Sequence, residues 1–220
     1  MSSAVKGPRP YDSSTRRAQA AQTRRSVLAA ATELFLERGY AATTMSDVSA
    51  AAGVAVQTVY SSVGGKADLL KQAVDVAVVG DDAPVPMMDR PDIRAIAAEP
   101  DGRRKLEMFA AHLARVQART ARLMRVLQVA VDSDEAVEDL RRTLLAQRRQ
   151  GMRAFAGDLR TRRLLRPGVT AERAADILVG HMDAAHYLTF REDLGWADRD
   201  YQRWYVTVTA AAILREPAGQ

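Results

Sequence analysis

The sequence predicts an all-α fold, because apolar residues recur at three- and four-residue spacing along most of the chain and no alternating pattern lasts long enough to make a sheet. With 220 residues, 47% of them hydrophobic, the chain can bury a sizeable core. A stretch rich in proline and aspartate at residues 80–92 interrupts the helical pattern and indicates a small head followed by a larger helical bundle. We place a disordered basic arm at residues 1–20, the head at 21–66 and the bundle at 67–220.

The head begins with a long helix. Its apolar positions recur at helical spacing and are Val27, Leu28, Ala31, Leu34 and Phe35. Gly39 follows the last of them, and glycine is favoured where a helix ends in the left-handed conformation. The first helix is therefore expected to end near Arg38 and to serve as a backing for the shorter helices that follow.

Two short helices come next. Thr44 and Asp47 have the three-residue spacing of a capping box, so the second helix should begin after Thr44, and Gly53 should end it. The third helix covers residues 56–62 with Val59 facing inward, and two glycines end it. Two short helices around a tight glycine turn form a helix-turn-helix. They need the first helix, because most helical stability comes from packing an apolar face.

The outward face of the third helix has the chemistry of a surface that reads DNA. It mixes hydrogen-bonding and apolar side chains without any carboxylate, and its residues are Val56, Gln57, Thr58, Tyr60 and Ser61. Glutamine pairs with adenine through two hydrogen bonds, threonine and valine contact the thymine methyl group, and tyrosine and serine hydroxyls donate to phosphate oxygens. We therefore expect this face to enter the major groove.

Lys66 gives a separate argument for an anion beside the head. It falls in the first turn of the next helix, where the helix dipole disfavours a cation. A phosphate bound at that helix end would explain the lysine. The alternative is an ordinary solvated surface residue, since a misplaced exposed charge costs only about 0.3–1 kcal/mol.

The run from Arg25 to Leu70 resembles the N-terminal domain of the TetR family of bacterial one-component transcriptional regulators, which are similar to the tetracycline repressor. The positions in register are Ala31, Phe35, Gly39, Tyr40, Thr43, Thr44, Asp47, Ala52, Gly53, Val54, Thr58, Val59, Tyr60, Lys66 and Leu69. The resemblance implies an N-terminal three-helix helix-turn-helix DNA-binding domain and a C-terminal helical bundle that binds a ligand and dimerises. The predicted DNA-contacting residues are Arg25, Thr43, Thr44, Val56, Gln57, Thr58, Tyr60, Ser61 and Lys66.

Three positions depart from the family pattern. Ala55 stands where the family usually has serine or threonine, so the third helix would start without a side-chain cap, at a cost of about 0.5–2 kcal/mol. Val63 stands where the family usually has an aromatic residue, and near Ser62 the family usually has a residue such as histidine or lysine. These changes weaken the expectation of phosphate contacts near residue 62 and leave the hairpin intact.

The formal net charge is +5, and the basic excess lies at the front of the chain. Residues 1–25 contain six Lys or Arg against one Asp, which suits a flexible arm that follows phosphates or enters a minor groove. A solvated tail with no defined contact is an equal alternative. Because the chain has no apolar run long enough to span a bilayer and its N-terminus has no apolar signal core, we expect a cytoplasmic protein without membrane contact. The absence of cysteine excludes disulfides.

The bundle is predicted from amphipathic stretches that begin at Leu106, Leu123, Leu140 and Ala174 and beyond Trp196. The resemblance to this family implies that the last two long helices form a homodimer interface, and a dimer is also expected because a palindromic DNA site needs two recognition helices. The small residues that would allow close approach are Ala174, Ala175, Ala184 and Ala185 on one helix and Ala210, Ala211 and Ala212 on the other. Alanine-rich faces are also ordinary contacts within one chain.

Polar and polarisable side chains among the apolar stripes of the bundle indicate a pocket for an apolar or aromatic molecule. The candidate ligand-binding residues are Phe109, His112, Met124, Gln128, Met152, Phe155, His181, Tyr187 and Trp204. A core with a few satisfied polar groups would show the same pattern, so core packing is the alternative for each of them.

No catalytic, metal or cofactor site is expected. Asp183 and His186 have the spacing of one half of a di-iron site, but no second Glu-x-x-His accompanies them. The segment around Lys66 lacks the earlier glycine, the following Ser or Thr and the strand of a phosphate loop.

The leading hypothesis is a ligand-responsive transcriptional regulator. We expect a repressor that a small apolar or aromatic molecule releases from a palindromic operator, with activation as a variant that the sequence does not distinguish. The alternative is a helical carrier or sequestering protein for apolar molecules, in which the hairpin has no function.

Overall fold

The computed structural model describes residues 13–80 and 85–216 of the chain. In this part of the chain ten α-helices follow one another: α1 (Ser13–Ala42), α2 (Met45–Ala52), α3 (Val56–Val63), α4 (Lys66–Val79), α5 (Pro91–Ala98), α6 (Gly102–Ala130), α7 (Glu135–Thr161), α8 (Ala171–His181), α9 (Ala184–Leu188) and α10 (Asp198–Ile213). The same residues form no strand, so the all-α prediction is confirmed.

Short irregular segments complete the described chain. Two 3-10 turns lie at Met87–Asp89 and Val131–Ser133, and a π-helical turn lies at Thr189–Asp193. A single antiparallel bridge among the described residues pairs Leu165 with Leu214 and so ties the end of α10 to the loop after α7. Within the described ranges, no helix combines the length and the apolar character that a membrane span needs.

The first helix starts earlier than expected. Residues 13–20, which we assigned to a disordered arm, belong to α1, so that assignment is corrected for them. The rest of the predicted arm, residues 1–12, lies outside the described residues. α1 kinks at Gly39, whose φ of 78° is a conformation that glycine adopts readily. The kink comes directly after Arg38, where the sequence predicts the helix to end.

The head is held together by one apolar core under its short helices. Val27, Phe35, Val48 and Val59 are fully buried there. α2 and α3 have eight residues each, and helices of this length depend on such packing rather than on their own hydrogen bonds. The helices α1 and α4 therefore brace the hairpin, and the sequence predicts this role for α1.

The 29-residue helix α6 connects the head to the bundle. Near its C-terminal end, Leu123 and Leu127 are buried in the same core as the head residues. Its N-terminal half carries Leu106 and Phe109 into a second core, which also includes residues of α5, α7, α8 and α10. α6 therefore packs in both cores, and α7 does so too.

The helix expected to run through Ala174 and Ala185 is two helices. α8 ends at His181, and α9 starts after Asp183, whose carboxylate accepts a 2.8 Å hydrogen bond from the Ala185 backbone N–H. Ala174 and Ala175 are fully buried in the second core of their own chain. Their assignment to a homodimer interface is therefore wrong, and the intramolecular alternative holds for both.

A hydrogen bond joins the end of α1 to the start of α7. The Tyr40 hydroxyl donates to Asp134 Oδ2 over 2.6 Å, and Asp134 Oδ1 accepts from the Ala136 backbone N–H as the N-cap of α7. Burial and the hydrogen bond to Asp134 raise the pKa of the Tyr40 phenol. The Tyr40 ring also stacks on Phe35, with 5.8 Å between the ring centroids. This bond is a polar connection between head and bundle beside their shared apolar core.

Removing the Tyr40 hydroxyl should weaken that connection. We expect Tyr40→Phe to lower the free energy of unfolding by about 1.5–3 kcal/mol, because a hydrogen bond to a carboxylate is lost while Asp134 stays partly buried. Thermal or urea unfolding measures the change. Tyr60→Phe, which removes a hydroxyl from an exposed ring, is the control and should alter stability by less than about 0.5 kcal/mol. Equal stability of Tyr40→Phe and the unmodified chain would contradict this role.

Candidate nucleic-acid interface

α3 is fixed to the head by two buried valines. Val59 is fully buried and Val63 is 5% exposed, which leaves the opposite side of the helix facing outward. The helix begins after Ala55, which has an extended backbone and no side-chain cap, as its departure from the family pattern predicts. It ends at Gly64, where φ is 90° and an added Cβ would lie 2.6 Å from Asp68 Oδ2. A residue other than glycine would therefore disturb the turn that ends α3.

The residues predicted to face a DNA groove lie on the outward side of α3. Val56 is 39% exposed and Tyr60 is 48% exposed. Gln57 and Ser61 are also exposed, and Thr58 is half-buried. The helix carries no acidic residue, so nothing on α3 itself would repel a phosphate backbone. The structure thus brings the five predicted side chains together on one helix and leaves them accessible.

Ser61 is partly engaged within the helix. Its hydroxyl donates to the Thr58 carbonyl oxygen over 3.1 Å, and the neighbouring Ser62 donates to the Val59 carbonyl oxygen over 3.0 Å. A hydroxyl has one proton to donate. Ser61 can therefore donate to a phosphate only by giving up its internal bond, which makes it a weaker contact than the sequence suggests.

Thr44 lies at the exposed start of α2 and forms the predicted capping box. Its hydroxyl accepts from the Asp47 backbone N–H over 3.1 Å and donates to Asp47 Oδ2 over 2.6 Å. The Thr44 backbone N–H donates to the same carboxylate oxygen over 2.9 Å. These donors lower the pKa of the Asp47 carboxyl. Thr44 keeps its place at the predicted surface, with its own hydroxyl already bonded.

Thr43 does not reach the surface, and its prediction as a DNA contact is wrong. The residue is 1% exposed. Its hydroxyl lies 2.8 Å from the Gly39 carbonyl oxygen and 3.2 Å from the Leu34 carbonyl oxygen, to which it donates. The last carbonyl groups of a helix have no partner within it. Thr43 therefore serves to satisfy the end of α1.

Lys66 is folded back onto the end of α1. Its ammonium lies 4.2 Å from the centroid of the Tyr40 ring and 3.4 Å from the Ala41 carbonyl oxygen. A cation is attracted to the face of an aromatic ring, so these contacts explain a lysine at a helix N-terminus without any bound anion. Burial lowers the pKa of Lys66, and the negative charge of Asp134 opposes that shift. The side chain remains partly exposed, and neither of the two interpretations drawn from the sequence describes it fully.

Arg25 belongs to a basic helical extension of the head. It is exposed, and its guanidinium donates to Gln22 Oε1 over 2.6 Å. The first buried residue of α1 is Val27, so the stretch before it extends beyond the head core. That stretch, residues 13–26, contains four arginines and no acidic residue.

Several candidate ligand-binding side chains meet in the bundle. We define the aromatic cluster as Phe109, Phe155, His181, Tyr187, Tyr201, Trp204 and Tyr205. The Phe109 ring centroid lies 5.3 Å from that of Phe155 and 6.0 Å from that of Tyr205. The His181 ring lies 6.3 Å from Trp204 and 6.4 Å from Tyr205. Burial, with His186 as a smaller influence, lowers the pKa of His181. The cluster is tightly packed in this structure.

The other candidate ligand-binding residues are not members of the aromatic cluster. Gln128 is exposed on α6, so its prediction as a lining residue of a buried pocket is wrong. His112 is partly exposed, and its Nδ1 lies 2.9 Å from Asp92 Oδ2 of α5. Met152 is buried in the second core, and Met124 packs between the head core and the aromatic cluster. Among the described residues, no three His, Asp or Glu side chains are grouped so as to hold a metal ion.

Two members of the aromatic cluster were missed in the sequence. Tyr201 and Tyr205 are fully buried, and burial raises the pKa of both phenols. The Tyr201 hydroxyl makes no hydrogen bond with any residue that the structure describes. The available signal was a pair of tyrosines four residues apart, flanking Trp204 on the apolar stripe of the last helix.

Two surface clefts lie outside the aromatic cluster. One of about 470 Å³ lies between the start of α6 and the start of α10. The other, of about 690 Å³, lies where α1 and α6 meet at the junction of head and bundle. None of the nine candidate ligand-binding residues lines either cleft.

Residues 27–73 match the sequence profile of a family described as bacterial regulatory proteins, tetR family. The match runs from the first buried residue of α1 into α4 and so covers the whole hairpin. The resemblance inferred from the sequence is confirmed, and the family is one of transcription regulators rather than enzymes. No curated protein sequence matches the chain.

Solved structures share the fold of both head and bundle. NalD, the secondary repressor of the MexAB-OprM multidrug efflux pump in Pseudomonas aeruginosa, has a TM-score of 0.66 at 19% identity, and the alignment covers 91% of this chain and 100% of NalD. SmeT in complex with triclosan has a TM-score of 0.64 at 18% identity, with 90% and 99% covered. SmeT is the repressor of the Stenotrophomonas maltophilia multidrug efflux pump SmeDEF. At these identities the similarity shows the fold.

The missing cap of α3 gives a test of how the hairpin is stabilised. Ala55→Ser should raise the free energy of unfolding by about 0.5–2 kcal/mol, because a serine at this N-cap can accept a hydrogen bond from the Gln57 or Thr58 backbone N–H. Thermal unfolding measures the gain. The control is Ala50→Ser, at an exposed position inside α2, where serine should lower the free energy of unfolding by about 0.5 kcal/mol. A loss of stability in Ala55→Ser would contradict the assignment of Ala55 as an open cap.

Proposed function

We propose that the protein, whose residues 27–73 match the tetR family of bacterial regulatory proteins, is a homodimeric repressor that binds a palindromic operator through α3. A small apolar or aromatic molecule in the bundle releases it, and it acts in the cytoplasm. The observation that carries the proposal is the accessible, acid-free outward side of α3 on a braced head.

The exposed side chains of α3 are proposed to read the DNA bases. Gln57 is exposed and has the amide that pairs with adenine, while the exposed methyl groups of Val56 suit the methyl of thymine. Tyr60 follows one turn after Gln57 and is exposed enough to donate its hydroxyl to a phosphate. These three side chains support a specific contact rather than a purely electrostatic one.

Phosphate contacts come from the edges of the head. The arginines of the α1 extension are exposed, and an arm that is helical from residue 13 places them along one rod instead of in a loose tail. Lys66 contacts Ala41, which is three residues before Thr44, the N-cap of α2. The Lys66 ammonium therefore lies beside the segment that leads into α2. Together these groups supply positive charge on the head that carries α3, which supports binding to a duplex backbone.

A homodimer follows from the symmetry of a palindromic operator, which presents two half-sites about 34–36 Å apart or a multiple of that distance. With Ala174, Ala175 and Ala184 buried, the glycine and alanine residues of α8 to α10 that remain exposed to a partner are Gly180, Ala185 and Ala211. We propose that these small side chains allow the last helices of two chains to approach closely.

The effector is proposed to enter the aromatic cluster. SmeT, a protein of the same fold, was solved with triclosan, a small aromatic molecule. In this chain the unbonded Tyr201 hydroxyl supplies a buried polar group for such a molecule, and the surrounding rings supply apolar surface. Since Tyr201 and Tyr205 are fully buried, binding requires the helices of the cluster to separate.

Helix α4 provides the connection from the cluster to DNA. Its first residue, Lys66, touches the end of α1, while Arg119 of α6 donates to the carbonyl oxygens of Ala77 and Val78 near its last turn, over 2.8 Å and 3.0 Å. A shift of α6 caused by the effector therefore moves α4 and changes the spacing of the two α3 helices. Such a ligand acts only through its different affinity for the two arrangements.

Two substitutions test the DNA-reading proposal. Gln57→Ala should cost roughly 1–3 kcal/mol of operator binding and relax the preference at one base pair. Lys66→Ala should weaken binding to every DNA sequence and reduce by about one the slope of log binding constant against log salt concentration. Gel shift on DNA selected from a random pool measures both, and sedimentation of the complex should show two chains on each duplex.

Gln147→Ala, at an exposed position of α7 in the bundle, is the matched control and should leave binding unchanged. Equal losses of Gln57→Ala on selected and random DNA would remove Gln57 from base reading. If the chain bound no DNA at any salt concentration while still binding triclosan, the repressor proposal would fail in favour of a carrier of apolar molecules.

The effector proposal predicts an unusual combination at Tyr201. Tyr201→Phe should leave the free energy of unfolding unchanged or raise it by about 1 kcal/mol, because the buried hydroxyl has no partner to lose. The variant should nevertheless bind triclosan more weakly, as read from quenching of the nearby Trp204, whose ring lies 5.8 Å from that of Tyr201. A clear loss of stability, or unchanged triclosan affinity, would count against Tyr201 as the polar contact.

A further inference from the structure

The cleft at the junction of head and bundle has two walls from different parts of the fold. One wall is the end of α1, residues 35–41, and the other is the end of α6 with the turn that follows it. Glu192 of the π-helical turn closes one side. The cleft encloses about 690 Å³, which is within the range of small-molecule sites.

Apolar surface is exposed on both walls of this cleft. Leu36 of α1 is 45% exposed, and Val129 of α6 is 80% exposed. Single exposed apolar residues are ordinary, but here two of them and the half-buried Val126 line the same concave surface. This surface suits the apolar body of a ligand.

Positive charge surrounds the apolar surface. Arg38, Arg122 and Arg125 line the cleft together with one carboxylate, that of Glu192. Arg122 Nε lies 2.6 Å from Glu192 Oε1, so this carboxylate is already paired. Arg38 has only a 3.8 Å contact with the well-exposed Glu37.

Arg125 is the most available of the three cations. The structure shows no hydrogen bond or ion pair between its guanidinium and any other described residue. A guanidinium binds the planar oxygens of a carboxylate or the oxygens of a sulfonate through paired hydrogen bonds. The cleft therefore has an apolar surface beside Arg125, which has no carboxylate partner among the described residues, and Arg38, whose carboxylate contact is the 3.8 Å one with Glu37.

We propose that this cleft is a second effector site, which binds a small amphipathic organic anion with an apolar body and one acidic group. It shares no lining residue with the aromatic cluster. Gly39 and Tyr40 line it, so its occupant touches the kink of α1 and the residue that holds both Asp134 and Lys66. Its role as an effector site rests on the proposed DNA-binding function, because the occupant acts by changing how the head sits on the bundle.

The test uses the full chain and two dyes of the same ring system. Anilinonaphthalene sulfonate is an amphipathic anion whose fluorescence rises on binding, and phenylnaphthylamine lacks the sulfonate. We expect the sulfonate to bind with a stoichiometry of one site per chain and at least roughly fivefold more tightly than the neutral amine, since the acidic group gains charge-assisted hydrogen bonds.

Variants on α6 locate the site. Arg125→Gln and Val129→Asp, both at exposed positions, should each weaken sulfonate binding by roughly fivefold or more, because one removes a cation and the other adds a repelling carboxylate. Arg103→Gln, at an exposed arginine of the same helix that lines the smaller cleft, is the matched control and should have no effect. If Arg103→Gln lost as much sulfonate affinity as Arg125→Gln, or more, the dye would lie in the other cleft and the proposal would be overturned.

The effect on DNA is measured separately. Operator affinity with and without saturating sulfonate should differ by roughly threefold or more in the unmodified chain and remain constant in Arg125→Gln. Tight operator binding with no sulfonate binding, or sulfonate binding without any change in operator affinity, would overturn the second site and leave the proposed repressor function standing. A chain that binds the sulfonate at Arg125 but binds no DNA would instead overturn the repressor function and the effector role that depends on it.

Discussion

The apolar core that the head shares with the end of α6 is the constraint on which the rest of the structure depends. α2 and α3 are too short to persist alone, and they are stable only because Val48 and Val59 are buried against α1 and α4. α1 and α4 in turn pack with Leu123 and Leu127 of α6. The outward side of α3 is therefore the outer layer of a core that reaches into the bundle.

This arrangement couples the two ends of the molecule by ordinary packing. Close-packed interiors do not deform gradually, so a change in the position of α6 moves whole helices. Polar contacts also join helices at the junction. Tyr40 bonds to Asp134 at the start of α7, and Lys66 at the start of α4 lies over the Tyr40 ring. In the proposed mechanism, a ligand that favours one position of α6 or α1 changes the position of α3.

The head was predictable because its determinants are local. The capping box of Thr44 and Asp47, the glycine at position 39 and the inward Val59 each depend on residues within one or two turns, and the structure shows all of them. Thr43 was mispredicted because its hydroxyl bonds to carbonyl groups of Leu34 and Gly39, on the last turns of α1 around the kink. Likewise, the ring beneath Lys66 comes from a residue 26 positions earlier in the chain, which no local pattern reveals.

By itself, the sequence determined the helical class, the hairpin and the outward side chains of α3, since these follow from apolar periodicity and helix ends. Only the tertiary structure decided that Ala174 and Ala175 are internal, that Gln128 is outside the buried cluster and that Tyr201 lies inside it. It also created the cleft between α1 and α6. The physical reason is that the periodicity of one helix shows which face is buried, whereas the identity of the helix that buries it depends on how distant segments pack.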